Sequence, residues 1–148
     1  MRLQDALHLV TRVAFDTAPL IYFLEGQAQY LAKMTAIVNH IEEEGISCFT
    51  TVISLVEALQ QPFSTGNVAL QRAYLALLLE NSSLQTLPVS VSIATEAALL
   101  RAKYRLKTPD AIQIAGGIQA GCQVFITNDK TLERVQEISV IVLDNLVV

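Results

Sequence analysis

Arg12-Val13-Ala14-Phe15-Asp16-Thr17-Ala18-Pro19-Leu20-Ile21-Tyr22-Phe23-Leu24 decides how the rest of the chain is read. Arg12 to Phe15 is a short apolar stretch of strand character that stops at the charge of Asp16. Pro19 then opens a helical pattern through Leu24, because its fixed φ and missing N–H suit a first helical turn. The unit is strand, turn, helix, with a carboxylate at the carboxyl end of the strand.

The same alternation continues outward. Gln27 to Glu44 carries Tyr30, Leu31, Met34, Ile37, Val38 and Ile41 at spacings of three and four, an amphipathic helix closed by Gly45. Ile46 to Thr50 reads as a second strand, and Val52 to Gln61 as a helix that Pro62 should end. Asn67 to Glu80 is a further helix, apolar on more than one face, and Leu84 to Leu87 a third strand. Ser90 to Leu106 is a helix rich in alanine and leucine, Thr108-Pro109 restarts helix through Ala120, Gln123 to Thr127 is a buried strand, and Ile138 to Leu143 closes the sheet. Strands of continuous apolar character separated by helices predict the α/β class, with a mainly parallel sheet covered on both faces.

Composition sets the limits. At 148 residues the chain fits one domain, 1–148, with a leader over 1–11 expected to be helical. Apolar residues make up 52% and charged residues 16%, which excludes a disordered chain. No apolar run is long enough to span a membrane and the N-terminus lacks a signal-peptide core, so the expected location is cytoplasmic. Cys48 and Cys122 have no CxxC or His companion and are expected to be reduced, buried thiols. A net charge of -4 argues against a surface that grips nucleic acid everywhere, so any RNA contact must be local.

Four acids point to chemistry. Asp16 follows the first strand, and Asp129 stands two residues past the strand ending at Thr127. Ligand sites in open α/β sheets form in the crevice beyond such carboxyl ends. Glu57 lies on the helix after the second strand and Asp110 in the first turn of the helix before the Asp129 strand, so all four can face one crevice. Each has an ordinary explanation too: Ser54-Leu55-Val56-Glu57 fits a capping box, Thr108-Pro109-Asp110 a capped helix start, and Asn128-Asp129 a cap of the last short helix. Taken together, four carboxylates without matching lysines repel one another unless a cation sits among them. Oxygen ligands without His or Cys favour magnesium or manganese over zinc.

Phe15-Asp16-Thr17-Ala18-Pro19-Leu20-Ile21, Ser54-Leu55-Val56-Glu57, Pro109-Asp110-Ala111-Ile112-Gln113-Ile114-Ala115 and Ile126-Thr127-Asn128-Asp129 resemble, in order and spacing, the motifs of the PIN domain, and most closely those of VapC-type toxins. The resemblance runs from about Val13 to the C-terminus. It implies a three-layer α/β/α domain, a Mg2+ or Mn2+ site, endoribonuclease activity leaving a 5'-phosphate and a 3'-hydroxyl, a small antitoxin partner and a homodimer. By the same resemblance Asp16 and Asp110 contact the metal, Asp129 and Glu57 complete the site directly or through water, and Thr17, Ser54 and Asn128 orient waters. Two features depart from the pattern: many members carry Asn where this chain has Ala18, and their first strand begins almost at the initiator Met.

Two other readings compete. A non-catalytic PIN-like protein-binding module would have no need of all four acids. A receiver or an aspartate-nucleophile phosphatase would place acids at the same sheet edge, but Asp16-Thr17-Ala18 lacks the second Asp that such a phosphatase needs, and the receiver's paired acids before its first helix are absent. Among the basic residues Arg101, Lys103, Arg105 and Lys107, the pair Arg101 and Arg105 would share a helix face and are the better phosphate contacts. Leu75 to Leu79 covers nearly a full helical turn with apolar residues, which calls for a core or a partner chain; Leu77 and Leu78 are the natural positions to test.

Overall fold

The computed structural model describes residues 1–148. Strands β1 (Arg12–Phe15), β2 (Ser47–Thr51), β3 (Leu84–Leu87), β4 (Val124–Thr127) and β5 (Ser139–Val142) form one sheet in the order β3-β2-β1-β4-β5. Every neighbouring pair is parallel. Val13 of β1 pairs with Cys48 on one side and Val124 on the other, so β1 is central. The chain builds outward through β2 and β3, then returns to lay β4 against β1. That reversal leaves a crevice at the carboxyl ends of β1 and β4, the place where such sheets hold ligands.

Both faces are covered, which explains the unbroken apolar strands. Val13, Phe15 and Ile126 point into a core under helices α2 (Thr17–Glu25), α3 (Ala28–Glu44), α4 (Ile53–Thr65) and α5 (Val68–Leu75), where Met34, Ile37, Tyr74 and Leu78 are buried. Ala14, Phe49 and Phe125 point the other way, into a core with Ile93, Leu100 and Ile114 of helices α6 (Val91–Tyr104) and α7 (Thr108–Gln119). Helix α1 (Leu3–Ala6) is a single turn, so the leader is helical over four residues only. A parallel bridge from Arg2 to Val147 ties it to the C-terminus, and Leu3 and Leu7 join the first core.

Two local expectations are corrected. Pro62 does not end its helix: α4 runs on to Thr65, where Gly66 at φ 68° closes it. Proline removes only its own N–H from the ladder, and the buried Pro62 offers its carbonyl to Asn67 N (2.9 Å) and Gln71 Nε2 (3.1 Å). The segment after Asn67 is not one uniform α-helix, because α5 stops at Leu75 and Ala76–Glu80 widens into a π turn. Leu78 in that turn is 2% exposed and Leu79 is 59% exposed, so the apolar run is divided between core and surface.

Gly116 and Gly117 let α7 lie directly on the sheet. A Cβ on Gly116 would stand 2.4 Å from Thr51 Cγ2, and one on Gly117 would stand 2.8 Å from Ala14 Cβ. Gly116→Ala is therefore expected to destabilise the protein by about 1–3 kcal/mol through overpacking, despite the ~1 kcal/mol that alanine gains in helix propensity. Urea unfolding would check this; an unchanged or higher midpoint would show that α7 can retreat from β2.

Candidate functional site

Asp16 sits at the switch point because three bonds hold it there. Its backbone N–H donates to the Ile126 carbonyl (2.9 Å), carrying the β1–β4 pairing one residue past the strand. Its Oδ1 accepts from Thr17 N (2.9 Å), capping α2, and its Oδ2 accepts from Thr127 Oγ1 (2.7 Å). Thr127 Oγ1 also accepts from Asp129 N (3.1 Å), so one hydroxyl joins the ends of both strands. Asp129 is exposed; its Oδ1 accepts from Thr131 N (2.9 Å) and Thr131 Oγ1 (2.7 Å), capping the 3-10 turn Lys130–Arg134.

Glu57 reaches the crevice from the second turn of α4. Its Oε1 accepts from Thr17 Oγ1 (2.7 Å). The capping box expected at Ser54 and Glu57 does not form, because Val52 is the N-cap and makes no side-chain cap bond. Ser54 is instead fully buried, within 2.8 Å of Thr50 Oγ1 and 3.0 Å of Thr17 Oγ1. Asp110 is half-buried in the first turn of α7, whose N-cap is Lys107 without a side-chain bond, so Thr108 is not the expected cap. The ordinary explanation thus holds for Asp129 and fails for Glu57; for Asp110 only the Thr108 cap fails, since Pro109 opens α7 and Asp110 stands in its first turn, and Asp16, for which the sequence offered none, caps α2.

The carboxylates feel one another. Burial, with Asp110 and Glu57 adding to it, pushes the Asp16 carboxyl from 3.8 up to about 6, although the bonds from Thr127 and Thr17 pull the other way. Burial first, then Asp129 and Glu57, raises Asp110 above the usual carboxylate range, while Lys107 and Arg134 oppose the rise. The molecule's one ion pair, Lys103 with Glu137 (3.4 Å), lies elsewhere, so no contacting cation neutralises any of the four acids. All-oxygen donors under mutual repulsion fit a hard divalent cation. No three of the acidic, His or Cys side chains stand close enough to ligate one ion as they are.

Asn128 is engaged outside this crevice. Its Nδ2 donates to Tyr30 Oη (2.9 Å) and its Oδ1 accepts from Asp144 N (3.0 Å), fastening the C-terminal turn to α3. Tyr30 stacks on Tyr22 with centroids 4.1 Å apart. The basic cluster also differs from expectation. Arg105 is the left-handed C-cap of α6 at φ 55°, so Arg101 and Arg105 do not share a helix face. Both cysteines are buried and free, with burial holding Cys48 up at about 11 and Cys122 at about 12, as expected of inert thiols.

Sequence reasoning missed Thr50, Thr51, Thr127 and Gln113, all buried, as polar partners of the site. Thr127 occurs in the quoted motif, yet nothing in the sequence marks it as the residue joining Asp16 to Asp129. The available signal for Gln113 was an amide between Ile112 and Ile114 on a helix otherwise apolar on every face turned inward.

The PIN domain family model matches residues 13–138. This chain belongs to the PIN domain family. The match begins within β1, ends one residue before β5 and includes all four acids. Solved structures agree in fold. VapBC2 from Rickettsia felis, bound to a promoter DNA fragment, superposes with a TM-score of 0.67 at 13% identity, over 87% of this chain and 96% of that one. DNA-bound VapBC from Salmonella typhimurium gives 0.66 at 17%, over 89% and 98%. A toxin–antitoxin complex from Klebsiella pneumoniae gives 0.63 at 23%, over 88% and 97%. No curated protein matches the chain. No helix of this PIN domain is long and apolar enough to cross a membrane.

Proposed function

We propose that this PIN domain is a Mg2+- or Mn2+-dependent endoribonuclease and the toxin of a VapC-type toxin–antitoxin pair. The observation that carries the reading is the unneutralised acidic crevice at the β1–β4 switch point, where Asp16 is raised to about 6. Asp16 and Asp110 would hold the ion, with Glu57 and Asp129 reaching it directly or through water. The ion would supply an activated water and stabilise the departing oxygen of the phosphodiester. The chain's own residues hold the carboxylates: Thr127 and the N-terminus of α2 orient Asp16, and Thr17 orients Glu57. For the flanking phosphate, Lys107 is a better candidate than Arg101 or Arg105. Its charge reaches Asp110, whereas Arg134, the other cation that does so, spends its guanidinium on the carbonyls of Tyr104 and Thr131. Mixed RNAs incubated with magnesium or with chelator test the activity: cleavage to 5'-phosphate ends with magnesium alone is expected, and equal cleavage in chelator would refute metal dependence.

The structural neighbours are toxin–antitoxin complexes, which supports an antitoxin partner here. Val56 and Phe63, seven residues apart on one face of α4, and Val68 of α5 are exposed by 69%, 60% and 52%. This apolar surface is the proposed docking and homodimer region. Phe63→Glu is expected to weaken self-association or antitoxin binding at least tenfold while leaving RNA cleavage within twofold, since Phe63 lies six residues beyond Glu57 on α4, on a different face of the helix. Light scattering beside a cleavage assay would check it. A variant as dimeric and as antitoxin-sensitive as the parent would move the docking surface elsewhere.

A further inference from the structure

Gln113 is the buried polar residue that no expected role explains. It is 2% exposed on α7, where an aliphatic side chain would satisfy the core. Its amide lies within bonding distance of Thr51 Oγ1 (2.6 Å), Thr17 Oγ1 (3.0 Å) and Ser54 Oγ (2.9 Å). These residues come from β2, α2 and α4, so α7 is bonded to three elements through one side chain.

The direction of each bond follows from donor counting. A carboxylate oxygen only accepts, so the single Thr17 hydroxyl proton goes to Glu57 Oε1 at 2.7 Å. Towards Gln113, Thr17 can then only accept, which turns the amide nitrogen to Thr17 and the amide oxygen to Thr51. The Phe15 carbonyl likewise claims the Thr50 hydroxyl proton (3.0 Å), so Thr50 accepts from Ser54 (2.8 Å) and Ser54 accepts from the amide. Two chains leave one amide: Gln113 to Thr17 to Glu57, and Gln113 to Ser54 to Thr50 to the end of β1. No buried side-chain polar atom is left without a partner. Hydrogen bonds aligned in this way polarise one another, so the amide at the head fixes the sense of both chains.

We infer that Gln113 is a positioning residue, which sets the Thr17 hydroxyl so that it holds the Glu57 carboxylate at the crevice. Its kinetic consequence rests on the nuclease reading above. Buried as it is, Gln113 would touch neither RNA nor metal. Leucine at this position would keep the volume and lose the direction, leaving Glu57 free to swing with solvent.

The test compares Gln113→Leu, Gln113→Glu and Thr51→Val in the full chain. Melting temperature, Mn2+ affinity by calorimetry, and kcat and KM for RNA are measured together. Gln113→Leu is expected to melt within ~5 °C of the parent. It should bind Mn2+ about tenfold more weakly and lose ~10–100-fold in kcat, with KM for RNA little changed. Gln113→Glu accepts where glutamine donates, so it draws the Thr17 proton away from Glu57 and should fall further in kcat. Thr51→Val frees the amide to rotate and should lie between parent and Gln113→Leu. A folded Gln113→Leu protein with Mn2+ affinity and kcat both within twofold of the parent would overturn the inference. If that variant does not fold, Thr51→Val decides by the same criterion. A parent that binds Mn2+ without cutting RNA defeats the nuclease reading alone, and the Mn2+ titrations still decide Gln113. A parent that does neither defeats both.

Discussion

Asp16→Asn is expected to cut RNA cleavage roughly a thousandfold or more, the order lost when one transition-state-stabilising group is deleted, and yet to raise the melting temperature of the metal-free protein. The two effects share a cause. A carboxyl moved from 3.8 to about 6 by burial and like charge is held ionised at pH 7 against the preference of the fold. That preference is worth about 3 kcal/mol at most, and the amide must remake the bonds to Thr17 and Thr127, so a gain of about 1–3 kcal/mol is expected. The sign follows from the raised value. Asp16 contributes its full stability below about pH 4, where it is protonated in both states, and that contribution is lost as pH rises through about 6. The stability advantage of the variant should therefore be small at pH 4 and grow between pH 4 and 7. Urea titrations of the two proteins across that range check it. A variant less stable than its parent at pH 7 would mean that the bond from Thr127 outweighs the buried charge.

Leu78→Glu is expected to be the most damaging single change on the apolar helix, costing about 4 kcal/mol or more. Leu78 lies in the core beneath α5, so the change removes a buried leucine and sets a carboxylate in its place. Leu79→Glu, one residue on but 59% exposed, should cost within ~0.5 kcal/mol. Thermal unfolding of the pair reads the difference directly. Similar melting temperatures would mean that the π turn can rotate Leu78 outward, and the boundary between core and docking surface would then have to be redrawn. Leu78 is accordingly unsuitable for probing a partner interface, and the half-buried Leu77 is a poor choice beside the exposed Phe63.

The order of strands and helices was readable because the central strands are buried on both faces and several helix boundaries carry a chemical signal. Helix α2 starts at Thr17, two residues before the Pro19 that announces it, with Asp16 as its cap, and Gly45 ends α3 at φ 65°. Pro62 misled because a proline forfeits only its own N–H, which a helix can survive, and the stop the chain uses is Gly66 at φ 68°. Arg105 misled because helical periodicity assumes the helix continues, whereas the chain turns left-handed there.

The acids were legible for a different reason. Asp16 and Asp129 follow apolar strands, and a parallel sheet puts all such ends on one edge, so backbone topology alone brings them near. What holds them was not legible. Thr17, Ser54, Thr50, Thr51 and Gln113 come from four elements and meet through side-chain hydrogen bonds, which leave no periodic trace in a sequence.

Occupancy and turnover measured in one buffer test the central claim most directly: Mn2+ binding by calorimetry on the wild-type protein, and the cleavage rate of a single-stranded RNA at the same Mn2+ concentrations. Rate is expected to rise with occupancy along one curve and to vanish in chelator. Full-rate cleavage in chelator, or a saturated site that cuts nothing, would contradict the claim.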